Sequence, residues 1–183
     1  HPDIEGPLRT CLGVLGALPA GAAGARETPR VLGDFKIVKL IGRGGMGVVY
    51  QAEQQSLPRT VALKVLAPGG SEDATRLARF RREIEATARL RHPNIVPVYE
   101  AGQAAGMPYY AMPLLQGESL DTWLKAARED ASRSPLGSRQ ALVAWLARFI
   151  DVARALTEAH AAGILHRDIK PSNLFLENDG RLL

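Results

Sequence analysis

His166-Arg167-Asp168-Ile169-Lys170-Pro171-Ser172-Asn173 decides the fold of this chain. An acid, a lysine and an amide fall within the six residues from Asp168 to Asn173, and Pro171 stiffens the backbone between them. The spacing suits phosphoryl transfer, in which an acceptor hydroxyl, a triphosphate and a metal ion are held in line. Asp168 could accept the hydroxyl proton, Lys170 could neutralise the phosphoryl group in flight, and Asn173 offers a neutral oxygen to Mg²⁺. A polar turn between a helix and a hairpin would also account for these residues, so the flanking sequence has to discriminate.

Upstream of the stretch, residues 141–162 predict an amphipathic helix with Leu142, Trp145, Leu146, Phe149, Val152, Ala153 and Leu156 on one broad face. An aromatic stripe of this kind is expected to be core, and Gly163 is placed to end the helix. Downstream, Leu174-Phe175-Leu176 and Arg181-Leu182-Leu183 flank Asn178-Asp179-Gly180, which predicts a hairpin. Further back, residues 118–129 read as a short helix and residues 130–139 as a polar loop broken by Pro135 and Gly137.

The first half of the chain is β-rich. Phe35, Ile37, Val38, Leu40 and Ile41 form an apolar run, Gly42-Arg43-Gly44-Gly45-Met46-Gly47 interrupts it, and Val48-Val49-Tyr50 resume it. A lone GxGxxG is weak evidence, because dinucleotide-binding folds use it to open a helix. Here the residues that follow prefer a strand, so the loop is expected to be a hairpin. Its glycines would let backbone N–H groups approach phosphate oxygens, although a plain glycine hairpin fits the stretch equally. Residues 60–66, Thr60-Val61-Ala62-Leu63-Lys64-Val65-Leu66, predict a strand that is apolar on both faces apart from Lys64. A lysine there is costly unless it meets an anion, such as phosphate oxygens plus a carboxylate. An edge-strand lysine with its head in water is the plainer alternative.

Residues 72–90 predict a helix with Ser71 as N-cap and Leu77, Phe80, Ile84 and Ala88 on one stripe. Glu83 and Glu85 flank the stripe, and periodicity leaves open which of them reaches Lys64. His92-Pro93-Asn94 ends the helix. Residues 95–100 and 108–115 then read as strands joined by a Gly-rich turn over 102–106.

Composition is that of an ordinary globular protein: 183 residues, 46% hydrophobic, 23% charged and a net charge of +4. The excess charge is concentrated in Arg76, Arg79, Arg81, Arg82, Arg89 and Arg91. Glu72, Asp73, Glu83 and Glu85 interleave with these arginines, which favours a solvated helix face over a nucleic-acid site. The single cysteine, Cys11, excludes an internal disulfide framework and fits a reducing compartment. In residues 1–33, Gly13, Gly16, Pro19 and Gly21 break the apolar run, so a flexible leader is expected and no membrane segment.

Taken together, Gly42-x-Gly44-x-x-Gly47-x-Val49, Val61-Ala62-Leu63-Lys64, Arg82-Glu83, His92-Pro93-Asn94-Ile95-Val96 and the stretch quoted first resemble a protein kinase, in order and in spacing. The likeness is greatest to the serine/threonine kinases of bacteria, whose glycine loops often read Gly-Gly-Met-Gly. It covers residues 34–183. It implies an α+β, bilobal kinase-like fold, with an N-lobe over 34–112, a hinge over 113–117 and part of a C-lobe over 118–183. It implies ATP and Mg²⁺ as cofactors and protein substrates with Ser/Thr acceptors. Asp168 and Lys170 would be catalytic and Asn173 a metal ligand. Ile41, Gly42, Arg43, Gly44, Gly45, Met46, Gly47 and Val48 would cover ATP, while Val49, Ala62 and Phe175 would sandwich its base. Lys64 would hold phosphates and pair with Glu83 rather than Glu85. Met112 would be the gatekeeper, with the Pro113 carbonyl and the Leu115 N–H facing adenine. The family commonly has glutamate where Pro113 stands; proline lacks only an N–H, so the carbonyl contact is expected to survive. Arg167 matches the family's receptor for a phosphorylated activation loop.

The family next carries Asp-Phe-Gly, and that tripeptide occurs nowhere in these 183 residues. The resemblance therefore implies a kinase domain cut before its metal aspartate and inactive as it stands. The domain itself would be cytoplasmic, and kinases of this type often have a membrane anchor beyond it. Two other classes remain open on sequence: a nucleotide-binding pseudokinase or scaffold, and a basic binding module working through the arginine helix. Retention of Lys64, Glu83, Asp168, Lys170 and Asn173 weighs against the first.

Overall fold

A computed structural model describes residues 30–44, 47–66, 73–130, 132 and 138–183. Among these residues the β-rich half forms a six-stranded antiparallel sheet, β1 (Val31–Leu32), β2 (Phe35–Gly44), β3 (Gly47–Gln54), β4 (Arg59–Val65), β5 (Glu100–Ala104) and β6 (Met107–Pro113), in the order β1-β2-β3-β4-β6-β5. Helix α1 (Asp73–Ala88) lies between β4 and β5 in the chain. After the sheet come β7 (Gly117–Ser119), α2 (Leu120–Glu129), α3 (Arg139–Ala161), one 3-10 turn (Pro171–Asn173) and β8 (Phe175–Glu177).

β4 is central and buried on both faces from Val61 to Val65, which explains a sequence that is apolar there apart from Lys64. Successive side chains point to opposite faces of a strand. Val61, Leu63 and Val65 accordingly pack with Phe35, Tyr50, Ala52, Tyr109 and Ala111. Ala62 packs on the other side with Val49, Leu66, Phe80, Tyr110 and Met112. Lys64 shares the parity of Ala62, so the sequence delivers it to the face that α1 covers. Gly47 is needed where β3 meets β4: a Cβ there would lie 2.3 Å from the Val65 carbonyl oxygen.

α1 is slightly shorter than the expected 72–90, and the expected cap Ser71 lies outside the described residues. Phe80 is fully buried and Leu77 and Ile84 pack beside it, as their spacing predicts. Ala88, the fourth member of that stripe, is exposed. Ala86 and Leu90 are buried instead, against Ala159 and Ile164, because the helix end has a second packing partner in α3. Arg79, Arg81, Arg82, Arg89 and Arg91 are all exposed.

Three expected elements are corrected. Residues 95–99 are not a strand: Ile95 packs beside the α1–α3 contact and Val96 and Val98 join the sheet's α1 face, so their side chains converge on helices rather than alternate. Pairing starts with the Tyr99 N–H donating to Ala111 O at 2.8 Å, and β5 itself is polar. Its turn is Ala105–Gly106, with φ of 49° and 74°, the left-handed pair that suits a two-residue hairpin. Finally, the helix expected over 118–129 begins two residues late. Gly117–Ser119 pairs with β8, and the Ser119 hydroxyl then caps α2 by accepting from Thr122 N–H at 3.1 Å.

α3 buries Val152, Ala155 and Ala159, with Trp145 and Leu156 half-covered by Leu120, Trp123, Leu174 and Leu182. Leu142, Leu146, Phe149 and Ala153, expected in the core, are exposed, as are Val143 and Ile150. The described residues cover one edge of the apolar face and leave the other to solvent. The hairpin after the 3-10 turn is as expected: Glu177 N–H donates to Arg181 O at 2.9 Å, and Phe175 and Leu183 exchange both backbone bonds. The leader lies almost wholly outside the described residues, and so does most of the loop over 130–139. No helix among the described residues is long and apolar enough to cross a membrane.

Candidate active site

Lys64 and Glu83 meet in the interior. The ammonium lies 2.7 Å from Glu83 Oε1, and both side chains are fully buried. Their approach follows from register and helix phase. Lys64 is the cross-strand partner of Tyr110, whose ring packs 5.4 Å from that of Phe80 on α1. One helical step beyond Phe80 brings Glu83 over the strand, whereas Glu85 is exposed. The choice that periodicity left open therefore falls on Glu83. Tyr110 Oη also donates to Glu83 Oε1, at 2.7 Å, and the Lys64 ammonium sits 5.4 Å from the Tyr110 ring centroid. A buried ion pair needs such added hydrogen bonds to offset its desolvation.

Beside this pair lies an apolar wall. Val49, directly opposite Lys64 in β3, clusters with Ala62 and Met112, and Ile41, Leu114 and Leu115 pack against them. Pro113 ends β6, half-buried, opposite Val61. Phe175 is buried in β8 outside that cluster and is linked to it through Leu183, with which it pairs by backbone. The glycine segment forms the expected hairpin: Gly42 faces Val49, Arg43 faces Val48 and Gly44 faces Gly47. Gly45 and Met46 lie outside the described residues.

The second polar group is the loop before β8. Asn173, only 1% exposed, donates through Nδ2 to the Asp168 carbonyl at 2.7 Å and to Asp168 Oδ2 at 3.0 Å. Lys170 Nζ lies 3.0 Å from the same Oδ2. The three residues singled out by spacing are thus one hydrogen-bonded group, bent together by the Pro171–Asn173 turn and by Arg167, whose φ is 59°. His166 is buried, and its Nδ1 accepts from Asp168 N–H at 3.3 Å. Burial holds the imidazole below its ordinary pKa, with Asp168 pulling the other way and Lys170 adding to the depression. The neutral ring is the form whose Nδ1 can accept that bond. Neither His166 nor Tyr110 was given a role from sequence; apolar spacing carries no signal for either contact.

Asn173 Oδ1 is buried and has no hydrogen-bond partner among the described residues. A shielded neutral oxygen without a donor is a suitable hard ligand for Mg²⁺, so the residues present fit that ion in part. Among the described residues there is no group of three or more His, Cys, Asp or Glu side chains placed to hold a metal.

The sheet, its single covering helix and the loop geometry define a kinase-like fold. The M. tuberculosis PknI kinase domain superposes with a TM-score of 0.62 at 33% identity, over 91% of this chain and 61% of that one. The family model for the protein kinase domain matches residues 35–183, and the chain belongs to the protein kinase family. Among curated proteins it is 40% identical over 148 residues to the serine/threonine-protein kinase PknJ of Mycobacterium bovis, covering 80% of this chain and 23% of that protein. It is 38% identical over 144 residues to PknD of M. tuberculosis, covering 79% and 20%. The chain thus spans about a fifth of the length of these curated relatives.

Proposed function

We propose that the protein to which these residues belong transfers the γ-phosphate of ATP to Ser and Thr hydroxyls of proteins. The observation that carries this is the fully buried Lys64–Glu83 pair set beside the apolar cluster of Val49, Ala62 and Met112. A strand cation next to a flat apolar wall offers one site for phosphates and one for a purine ring. In this reading residues 34–112 form the N-lobe, 113–117 the hinge and 118–183 part of the C-lobe. The glycine hairpin from Ile41 to Val49 covers the phosphates, Met112 stands behind the base, and Phe175 completes the adenine site from below. The Pro113 carbonyl and the Leu115 N–H meet its edge.

Asp168 takes the acceptor's hydroxyl proton, and Lys170, bridged to it, faces the phosphoryl oxygens as the charge develops. Asn173 orients Asp168 through two hydrogen bonds, and its Oδ1, partnerless among the described residues, would be the atom to hold Mg²⁺. Bound there, Mg²⁺ would neutralise charge on the phosphate oxygens. Asn173 is a neutral, monodentate ligand, so the 183 residues alone are expected to transfer little.

Calorimetric titration with Mg·ATP and transfer of radiolabelled γ-phosphate test the assignment. In the whole protein, Asp168→Asn should lower transfer by about 10²–10⁴-fold and leave ATP affinity nearly unchanged. Abolished ATP binding with an intact fold would remove Asp168 from the role of base. A nucleotide-binding scaffold would bind ATP and show no transfer even with Asp168 in place.

A further inference from the structure

We propose that Tyr110 is a positioning residue: its hydroxyl holds the Glu83 carboxylate in the arrangement that pairs with Lys64, and so fixes α1 against the sheet. The three side chains are each fully buried, and Glu83 Oε1 accepts from Lys64 Nζ and from Tyr110 Oη, both at 2.7 Å. Tyr110 reaches this point from the strand, as the cross-strand neighbour of Lys64, whereas Glu83 reaches it from the helix. The bond therefore ties β6 to α1. It is independent of the apolar contacts, which the ring already makes with Phe80.

The hydroxyl has a distinct use. Under the ATP reading, on which this inference rests for its consequence, Lys64 divides its charge between Glu83 and phosphate oxygens. A buried carboxylate whose cation is drawn toward a third group needs a donor of its own to stay in place. Tyr110 supplies that donor from the rigid sheet. A phenylalanine would fill the same volume and keep the ring contacts but withdraw the hydroxyl that donates to Glu83 Oε1.

The test is a cycle of wild type, Tyr110→Phe, Glu83→Gln and the double variant, in this chain without nucleotide, read by amide hydrogen exchange. Tyr110→Phe should speed exchange in α1 by roughly tenfold relative to β3 and β4, the scale of losing a hydrogen bond to a charged group. In the Glu83→Gln background the same change should have a smaller effect, because the hydroxyl then donates to a neutral amide oxygen instead of a carboxylate. A side chain that only packs would give the same increment in both backgrounds. If Glu83→Gln does not fold, the Tyr110→Phe pattern alone decides: exchange raised in α1 supports the proposal, and exchange unchanged or raised uniformly across the sheet overturns it. Equal increments in the two backgrounds also overturn it. A parallel Mg·ATP titration separates the two assignments. Coupling between Tyr110 and Glu83 alongside a whole protein that binds no Mg·ATP would refute the ATP reading while supporting the positioning role.

Discussion

Replacing Lys64 by methionine separates what the buried pair does for folding from the phosphate role proposed for it. Methionine suits the strand, whose neighbours Leu63 and Val65 are buried and apolar. Glu83 is the difficulty, since it would remain a fully buried carboxylate without its cation. Breaking one side of a buried pair typically costs about 3–5 kcal/mol. Tyr110 still donates to Glu83 Oε1, and such bonds to charged groups are worth about 1.5–3 kcal/mol. The loss should therefore fall at the lower end, about 3 kcal/mol. Adding Glu83→Gln removes the stranded charge while keeping an acceptor for Tyr110, and should bring stability back to within about 1 kcal/mol of wild type. With a urea dependence of about 2 kcal/mol/M, the single variant shifts the unfolding midpoint down by about 1.5 M and the double variant by less than about 0.5 M. Far-UV circular dichroism reads both. A single variant as stable as wild type, or a double variant no better than the single, would refute the view that this interior is balanced by charge pairing. Under the proposed ATP reading, both variants should bind Mg·ATP more weakly than wild type, because the cation assigned to the phosphates is gone in both.

The uncovered side of α3 predicts association. Leu146 and Phe149 are 53% and 42% exposed, so Leu146→Glu with Phe149→Glu should reduce concentration-dependent light scattering of this chain at unchanged helicity; unchanged scattering would show that the face is not sticky. His166 predicts acid sensitivity with a definite sign. Its folded pKa lies below the ordinary 6.5, so the unfolded chain binds the proton first as pH falls, and stability drops between about 6.5 and the depressed value and is full above it. His166→Gln should flatten that limb of a stability–pH curve, and an unchanged slope would assign the acid loss to other groups.

Much of the fold was legible because local chemistry and tertiary need coincide. Lys64 stood out since an apolar strand tolerates an unpaired ammonium poorly, whereas the close approach of the Val65 carbonyl to Gly47 appears only in the structure. The closeness of Asp168, Lys170 and Asn173 was suggested by their spacing because one short turn brings the three together. What stayed hidden depended on distant partners. β7 has only three residues and exists because β8, some sixty positions later, pairs with it. Ile95, Val96 and Val98 look like a strand, but two separate clusters claim them. Glu83 and Glu85 differ only by the phase of a helix on its sheet, which no periodicity within the helix records. The stripe on α3 announced an apolar face correctly and could not say how much of it these residues would cover.

The loop after α1 is fastened to the β8 hairpin: Asn94 Nδ2 donates to Leu182 O at 2.8 Å and Arg181 donates to Pro93 O at 3.3 Å, while Leu90 is buried against Ala159 and Ile164. One end of α1 is therefore clamped, and the helix can act as a lever about that fulcrum. Glu83 lies seven residues from Leu90, a radius of about 10 Å at 1.5 Å per residue. A tilt of about 15° would carry its carboxylate roughly 2.6 Å by that radius, which is the whole length of its bond to Lys64. The clamp thus scales a small angular change at one end into a displacement of ångströms at the other, and the Lys64–Glu83 distance becomes a gauge of helix angle.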